Sequence, residues 1–262
     1  MFLGIGALVG GICSAFSCAA GFIGSGISAV AGAIGGFASS IGSALVTGAT
    51  SLVSTISSVG AKLLGKASIG EVISGIGKII GLFTSDDDED IDDLGCRACN
   101  SDAKPDDFES TEQYIKHLKN NIQYDKEQAR AEMEKDSVKK YAYAAVGATI
   151  AGKGISEKMG IDLGDKGIAA LGLIHRAAPY LTANNFTDFL SVLAKNGHRD
   201  MSDVFSYFHG RGNVDFVKTG ADIKNAMSGM DLGGKSIDES VNDIKNEFQK
   251  SEEQRYKEDA SK

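Results

Sequence analysis

Between Met1 and Ala61 the chain carries no Asp, Glu, Lys, Arg or His, and its large apolar residues fall on an eleven-residue grid. Ile23, Ile34, Leu45 and Ile56 form one series, interleaved with Val30, Ile41, Leu52 and Leu63. Nearly everything between them is Gly, Ala, Ser or Thr. Eleven residues make three turns at about 3.67 residues each, close to the ~3.6 of an undistorted α-helix, so one apolar stripe stays on one face for about 40 residues. The spacing therefore predicts a long helix or a helical hairpin.

Intrinsic propensity opposes that prediction. Gly costs about 1 kcal/mol relative to Ala in a helix interior, and 18 of the chain's 33 glycines lie before Phe83. A lone helix of this composition melts in water. Compensation comes from close backbone approach, for which Gly6/Gly10, Gly32/Gly36 and Gly77/Gly81 have the small-xxx-small spacing of membrane helix pairs. The expected membrane or assembly face is Ile23, Ile27, Val30, Ile34, Ile41, Leu45, Leu52, Ile56 and Leu63, with those six glycines as close-packing positions. Such helices need neighbours.

Charge divides the chain sharply. Residues 1–83 have a net charge of +2, residues 84–109 of −9 and residues 110–262 of −1, within an overall −8. The acidity thus belongs to one short stretch, and no nucleic-acid site is evident. Four cysteines, Cys13, Cys18, Cys96 and Cys99, are too few and too clustered for a disulfide framework. Cys13 and Cys18 read as small hydrophobes, and Ala15-Phe16-Ser17-Cys18 lacks the Leu of a lipoprotein box. The uncharged run has no basic start and outlasts a signal-peptide core, so a cleaved signal is not expected. It is long enough to cross a bilayer, which takes about 20 residues, but Gly and Ser dilute its hydrophobicity. Conditional insertion, or assembly into a protein tube, fits better than constitutive anchoring.

Ala61 to Phe83 continues in amphipathic form, with Val72, Ile73, Ile76, Ile79 and Ile80 on one side, and suits either an interfacial helix or a core-facing one. Residues 84–109 read as a flexible acidic linker, with Asp86, Asp87, Asp88, Glu89, Asp90, Asp92 and Asp93 crowded together. An EF-hand starting at Asp90 would need a carboxylate where Ser101 stands. The Cys96-Arg97-Ala98-Cys99 pair supplies at most two zinc ligands and has no second pair downstream. Ser110 and Gln113 form a capping box that opens a long charged helix through Tyr114, Leu118, Ile122, Ala129 and Met133. This helix runs into a small-residue stretch ending near 154. Gly147, Gly152 and Lys153 match GxxxxGK, but Gly154 stands where a phosphate loop needs Ser or Thr, and a glycine-capped helix explains the letters.

Residues 155–262 read as a small α-helical domain. One helix covers Ile168 to Arg176 before Pro179; a second holds Phe186, Phe189, Leu190 and Leu193 and stops at Gly197; a third holds Met201, Val204, Phe205 and Phe208 and stops at Gly210. A short Val214–Val217 segment and a weak Ile223–Met227 helix follow. Ile237, Val241, Ile244 and Phe248 define a last amphipathic helix. His198-Arg199-Asp200 spells the start of a kinase catalytic loop, but Phe205 replaces its required Asn. The Phe186–Phe208 pair of helices resembles a helix-turn-helix whose second helix, opening with Asp200 and Asp203, would repel phosphate. His175, His198 and His209 read as surface or capping residues. No catalytic, cofactor-binding or metal residues are expected, and the protein is not expected to be an enzyme.

An uncharged Gly/Ala/Ser-rich amphipathic N-terminus followed by a charged helical region resembles the membrane-penetrating minor proteins of virions, the pilot and ejection proteins that phages use to carry genomes across a host envelope. The resemblance covers residues 1 to about 150 and is compositional. It implies a protein stored in one state and later assembled as a helical tube or pore, with membrane lipid and further copies of itself as partners. The expected fold is mainly α: an apolar segment (1–83), an acidic linker (84–109), a long helix (110–154) and a helical domain (155–262). A secreted pore-forming toxin or injected effector with a membrane-inserting arm is the alternative. Either is virion-borne or secreted before it becomes membrane-associated.

Overall fold

A computed structural model describes residues 25–58, 69–84 and 91–259. Among them are twelve α-helices, one short 3-10 turn (Pro105–Asp107) and no strand. The protein is mainly α, as its periodicities predict.

The uncharged segment supplies α1 (Ser25–Gly36) and α2 (Ala38–Ser58). They are separated at Phe37, and α2 is kinked at Gly42, whose φ of 76° is open to glycine at no steric cost. The segment expected as a long helix or a helical hairpin is thus, over its described residues, two helices broken at Phe37. Its stripe nevertheless keeps register: Val30, Ile34, Ile41, Leu45, Leu52 and Ile56 are all buried. Next comes α3 (Ile69–Ile79), which faces the core through Ile69, Val72, Ile73 and Ile76, while Ile79 is exposed.

Residues 91–99, expected as part of a solvated linker, form α4 (Ile91–Cys99), with eight of its nine residues buried. The long helix expected from Ser110 is instead three: α5 (Thr111–Asn121), α6 (Lys126–Lys135) and α7 (Ser137–Met159). Each start is capped. Ser110 Oγ accepts from the Gln113 N–H, the Asp125 carboxylate from the Gln128 N–H, and the Asp136 carboxylate from the N–H groups of Val138 and Lys139. The break is encoded by Asp125 and Asp136, which satisfy helix-start donors that a continuous helix would not leave free. α7 ends at Gly160 in the left-handed conformation, six residues beyond the expected end at Gly154.

The rest is α8 (Gly164–Ala177), α9 (Ala183–Lys195), α10 (Ser202–His209), α11 (Phe216–Met227) and α12 (Ile237–Asp259). Gly197 and Gly210 end α9 and α10 with positive φ, as their positions predict. α11 is longer than expected, because Asp215 caps it by accepting from Val217 and Lys218.

α7 is the axis of the fold. Its buried residues, from Tyr141 and Ala142 through Val146, Ile150 and Gly154 to Ile155, lie all round it, as befits a helix covered on every side. Helices α1 to α6 and α8 all pack on it. α8 in turn carries α2, α3, α10 and α12, while α9 bridges α3 and α11. Buried apolar residues from Val30 to Phe248 make one continuous core. The closest helix crossing is α4 on α7. A Cβ on Gly95 would collide with the Tyr143 carbonyl, and one on Gly147 with the Ile91 carbonyl, so each glycine admits the other helix's backbone.

Candidate functional site

Of the nine residues expected on the membrane or assembly face, seven are described, and they converge on one place. Val30, Ile34, Ile41, Leu45, Leu52 and Ile56 are buried, and Ile27 is half-buried against the same core. Ile23 and Leu63 lie outside the described residues. The stripe is seated on the chain's own α7 and α8, and α1–α2 form an arm lying across that seat.

Three contacts fix the arm's position. The Phe37 ring stacks on Tyr143 of α7 at 5.4 Å between centroids and 25° between planes. Gly48 lies over Thr149, whose Cγ2 would be 2.9 Å from a Cβ placed there. Ser51 Oγ donates to Asp165 Oδ2 at 2.9 Å, and Thr55 Oγ1 donates to the same oxygen. A cleft of about 170 Å³ runs beside this last contact, lined by Leu52, Thr149, Lys153, Ser156, Asp162 and Asp165 among others. The outward side of the arm is Ser28, Gly32, Gly35, Ser39, Ser43, Thr47 and Ser54, small and uncharged.

The expected close-packing glycines divide differently. Gly32 and Gly36 are exposed, with open space where a Cβ would stand. Gly77 sits under the Phe83 ring, and Gly81 takes a φ of 70° just after α3 with nothing above it. Gly6 and Gly10 lie outside the described residues. Within this chain close approach is served instead by Gly95 and Gly147, and by Gly152 and Gly154 beneath Ile168 and Leu82. Composition gives a supply of small residues, but only the tertiary partner decides which of them are covered.

Elsewhere, the letters that mimic known chemistry have structural uses. Gly147, Gly152 and Lys153 all lie within α7, so no phosphate loop exists there. Residues 91–99 are helical where a calcium loop would have to turn. Cys96 and Cys99 are buried free thiols. Burial first, then the Asp93 charge, pushes Cys96 up to about 11, and burial likewise raises Cys99, so neither is a ready thiolate at neutral pH.

The three histidines do not meet. His175 is half-buried near Glu71 and edge-on to Phe186, and His209 packs on Phe205 and Phe248. His198, expected as a surface or capping residue, is buried, with Nε2 2.9 Å from Asp222 and Nδ1 3.8 Å from Asp203. Its neighbour Asp200 accepts from the Ser202 N–H at the start of α10. Among the described residues no group of three or more His, Cys, Asp or Glu is placed to hold a metal.

Sequence reasoning missed a buried charge cluster. Asp93, 1% exposed, accepts from the Tyr124 hydroxyl at 2.5 Å and pairs with Lys126 Nζ at 2.6 Å. Arg97, one turn on, donates to the carbonyls of Leu118, Lys119 and Ile122 at the end of α5 and lies over the Tyr124 ring. Beside it is a polar cavity of about 430 Å³, lined by Cys96, Asn100, Gln128, Glu132 and Tyr143 among others. The chain matches no protein-family model, and comparisons with curated proteins and with solved structures find no match.

Proposed function

We propose that the protein is a membrane-interacting, self-assembling helical protein of the virion ejection or penetration type, with no enzymatic role. It is stored with the α1–α2 arm folded on its own body and inserts that arm at a target membrane. The observation that supports this most is the arm's construction. Its stripe from Val30 to Ile56 is buried where the arm packs on α7 and α8, yet residues 25–58 contain no charge. Lifting the arm therefore breaks no ion pair and takes no charge into lipid, where one costs about 2.5–3.5 kcal/mol at the centre of a helix.

Ala38–Ser57 is long and apolar enough to cross a membrane by length and composition. A core helix of a soluble protein meets the same criterion, so the reading leans on the uncharged outward face. In lipid the stripe would face the acyl chains, and the Gly and Ser face, open in the stored state, would pack on other copies. Self-assembly follows from that division of faces.

The test is a reversible lock. Gly48→Cys with Thr149→Cys, in a background carrying Cys13→Ser and Cys18→Ser, joins α2 to α7 at a place where a Cβ on residue 48 would stand 2.9 Å from Thr149 Cγ2. Dye-loaded vesicles should stay sealed with the oxidised protein and leak after reduction. Equal leakage from the oxidised and reduced forms would overturn the proposal.

A further inference from the structure

We propose that Asp165 is an acid-releasable latch that holds the arm on its seat; the inference rests on the arm-insertion reading above and concerns how that same interface is let go. Asp165 stands in the first turn of α8, where its negative charge faces the free N–H groups of the helix start. Ser51 and Thr55 are four residues apart and therefore on one face of α2, and both donate their hydroxyls to the same Asp165 oxygen. One carboxylate thus gathers two arm hydroxyls and the helix start at a single point. Hydrogen bonds to an ionised acceptor are roughly twice as strong as neutral ones.

Burial alone would raise the Asp165 pKa. The bonds from Thr55 and Ser51, and then the backbone N–H groups of Asp165 and Lys166, more than offset it and hold the carboxyl below its ordinary range. The surrounding charges are few. α2 brings none, α7 brings Lys153 along the adjoining cleft, the connection before α8 brings Asp162, and α8 itself brings Lys166.

A carboxylate whose pKa is depressed on folding contributes stability that is fully present above its unfolded value, about 3.9, and is lost as pH falls through the folded value. The latch therefore stays closed at neutral and mildly acidic pH and opens below about pH 4. A protonated Asp165 no longer offers a charged acceptor to both hydroxyls, and it loses its favourable placement at the start of α8.

The chain contains no Trp, so Phe37→Trp, at the ring that stacks on Tyr143, gives a single indole reporting whether the arm is down. Without lipid, its emission should shift to the red below about pH 4 while the near-ultraviolet tyrosine signal of the body persists. Asp165→Asn should raise the lifted fraction at pH 7 about tenfold and abolish the acid step; Asp165→Glu should restore the step. The oxidised Gly48→Cys/Thr149→Cys lock should suppress it. An unchanged acid midpoint in Asp165→Asn, or an emission shift that survives the lock, overturns the latch. Vesicles separate the two proposals: an Asp165-dependent acid shift without leakage keeps the latch and removes the insertion reading. Leakage at a rate indifferent to Asp165→Asn keeps insertion and removes the latch.

Discussion

The arm and α4 both pack on α7, and they do so by opposite means. Over 34 residues the arm has no charge, whereas α4 has three charged residues in nine, yet α4 is the one buried almost all round. The arm meets α7 through side chains along a single stripe and leaves its other side bare. α4 meets it backbone to backbone at Gly95 and Gly147, and the charges of Asp93 and Arg97 are taken up by Tyr124, Lys126 and the end of α5. Hydropathy ranks these two segments in the wrong order. What fixes a segment is how closely its backbone is met and which partners its charges find once water is excluded, not how few charges it has.

If that contrast is right, damage to α4 should melt the molecule and damage to the arm should not. The largest effect is expected from Gly147→Ala. Its new Cβ meets the Ile91 backbone, which cannot step aside as a side chain can, and the loss should be about 3 kcal/mol or more. Denaturant unfolding followed by circular dichroism should show one transition at a lower midpoint. An unchanged midpoint would mean that the α4–α7 crossing is looser than described.

Leu52→Ala and Ile34→Ala should each remove about 2–4 kcal/mol of side-chain packing, but locally. Amide exchange should accelerate across residues 25–58 while α7, α9 and α12 keep their protection. If exchange rises equally in both regions, arm and body form one cooperative unit and the comparison fails.

Asp93→Asn should cost about 2 kcal/mol, because a buried acceptor loses its charge while Lys126, a third exposed, can turn to water. A double-mutant cycle with Lys126→Met measures the coupling, and a value near zero would return the binding of α4 to its glycine alone. The smallest effect, and one of opposite sign, is expected at Gly32→Ala. With open space at the Cβ position, replacing a helical glycine should stabilise the arm by about 0.5–1 kcal/mol. A loss there would mean that Gly32 is covered within the fold after all.

Much of this was legible in the sequence. The eleven-residue grid names the buried face of α1 and α2 residue by residue, because an apolar stripe on a helix must be covered whatever covers it. Gly197 and Gly210 mark helix ends, and Val241, Ile244 and Phe248 mark the buried side of α12. What covers the grid was not legible, since a stripe of Ile and Leu suits lipid, another copy or α7 equally well. α4 was hidden because Ile91, Leu94, Ala98 and Gly95 sit among carboxylates whose partners, Tyr124 and Lys126, come about 30 residues later. The burial of His198 was hidden for the same reason: its partner Asp222 belongs to another helix.

The bond between Ser51 and Asp165 also sets an order of events. Its two ends are 114 residues apart, so at a synthesis rate of about 5–20 residues per second the arm exists for roughly 6–23 seconds before its seat has been made. For that interval an uncharged, glycine-rich segment has no place to fold within its own chain. Whatever first meets the nascent arm, whether a chaperone, a lipid surface or the arm of a neighbouring ribosome's product, competes with a site that is not yet there. The outcome is then decided by timing before it is decided by affinity.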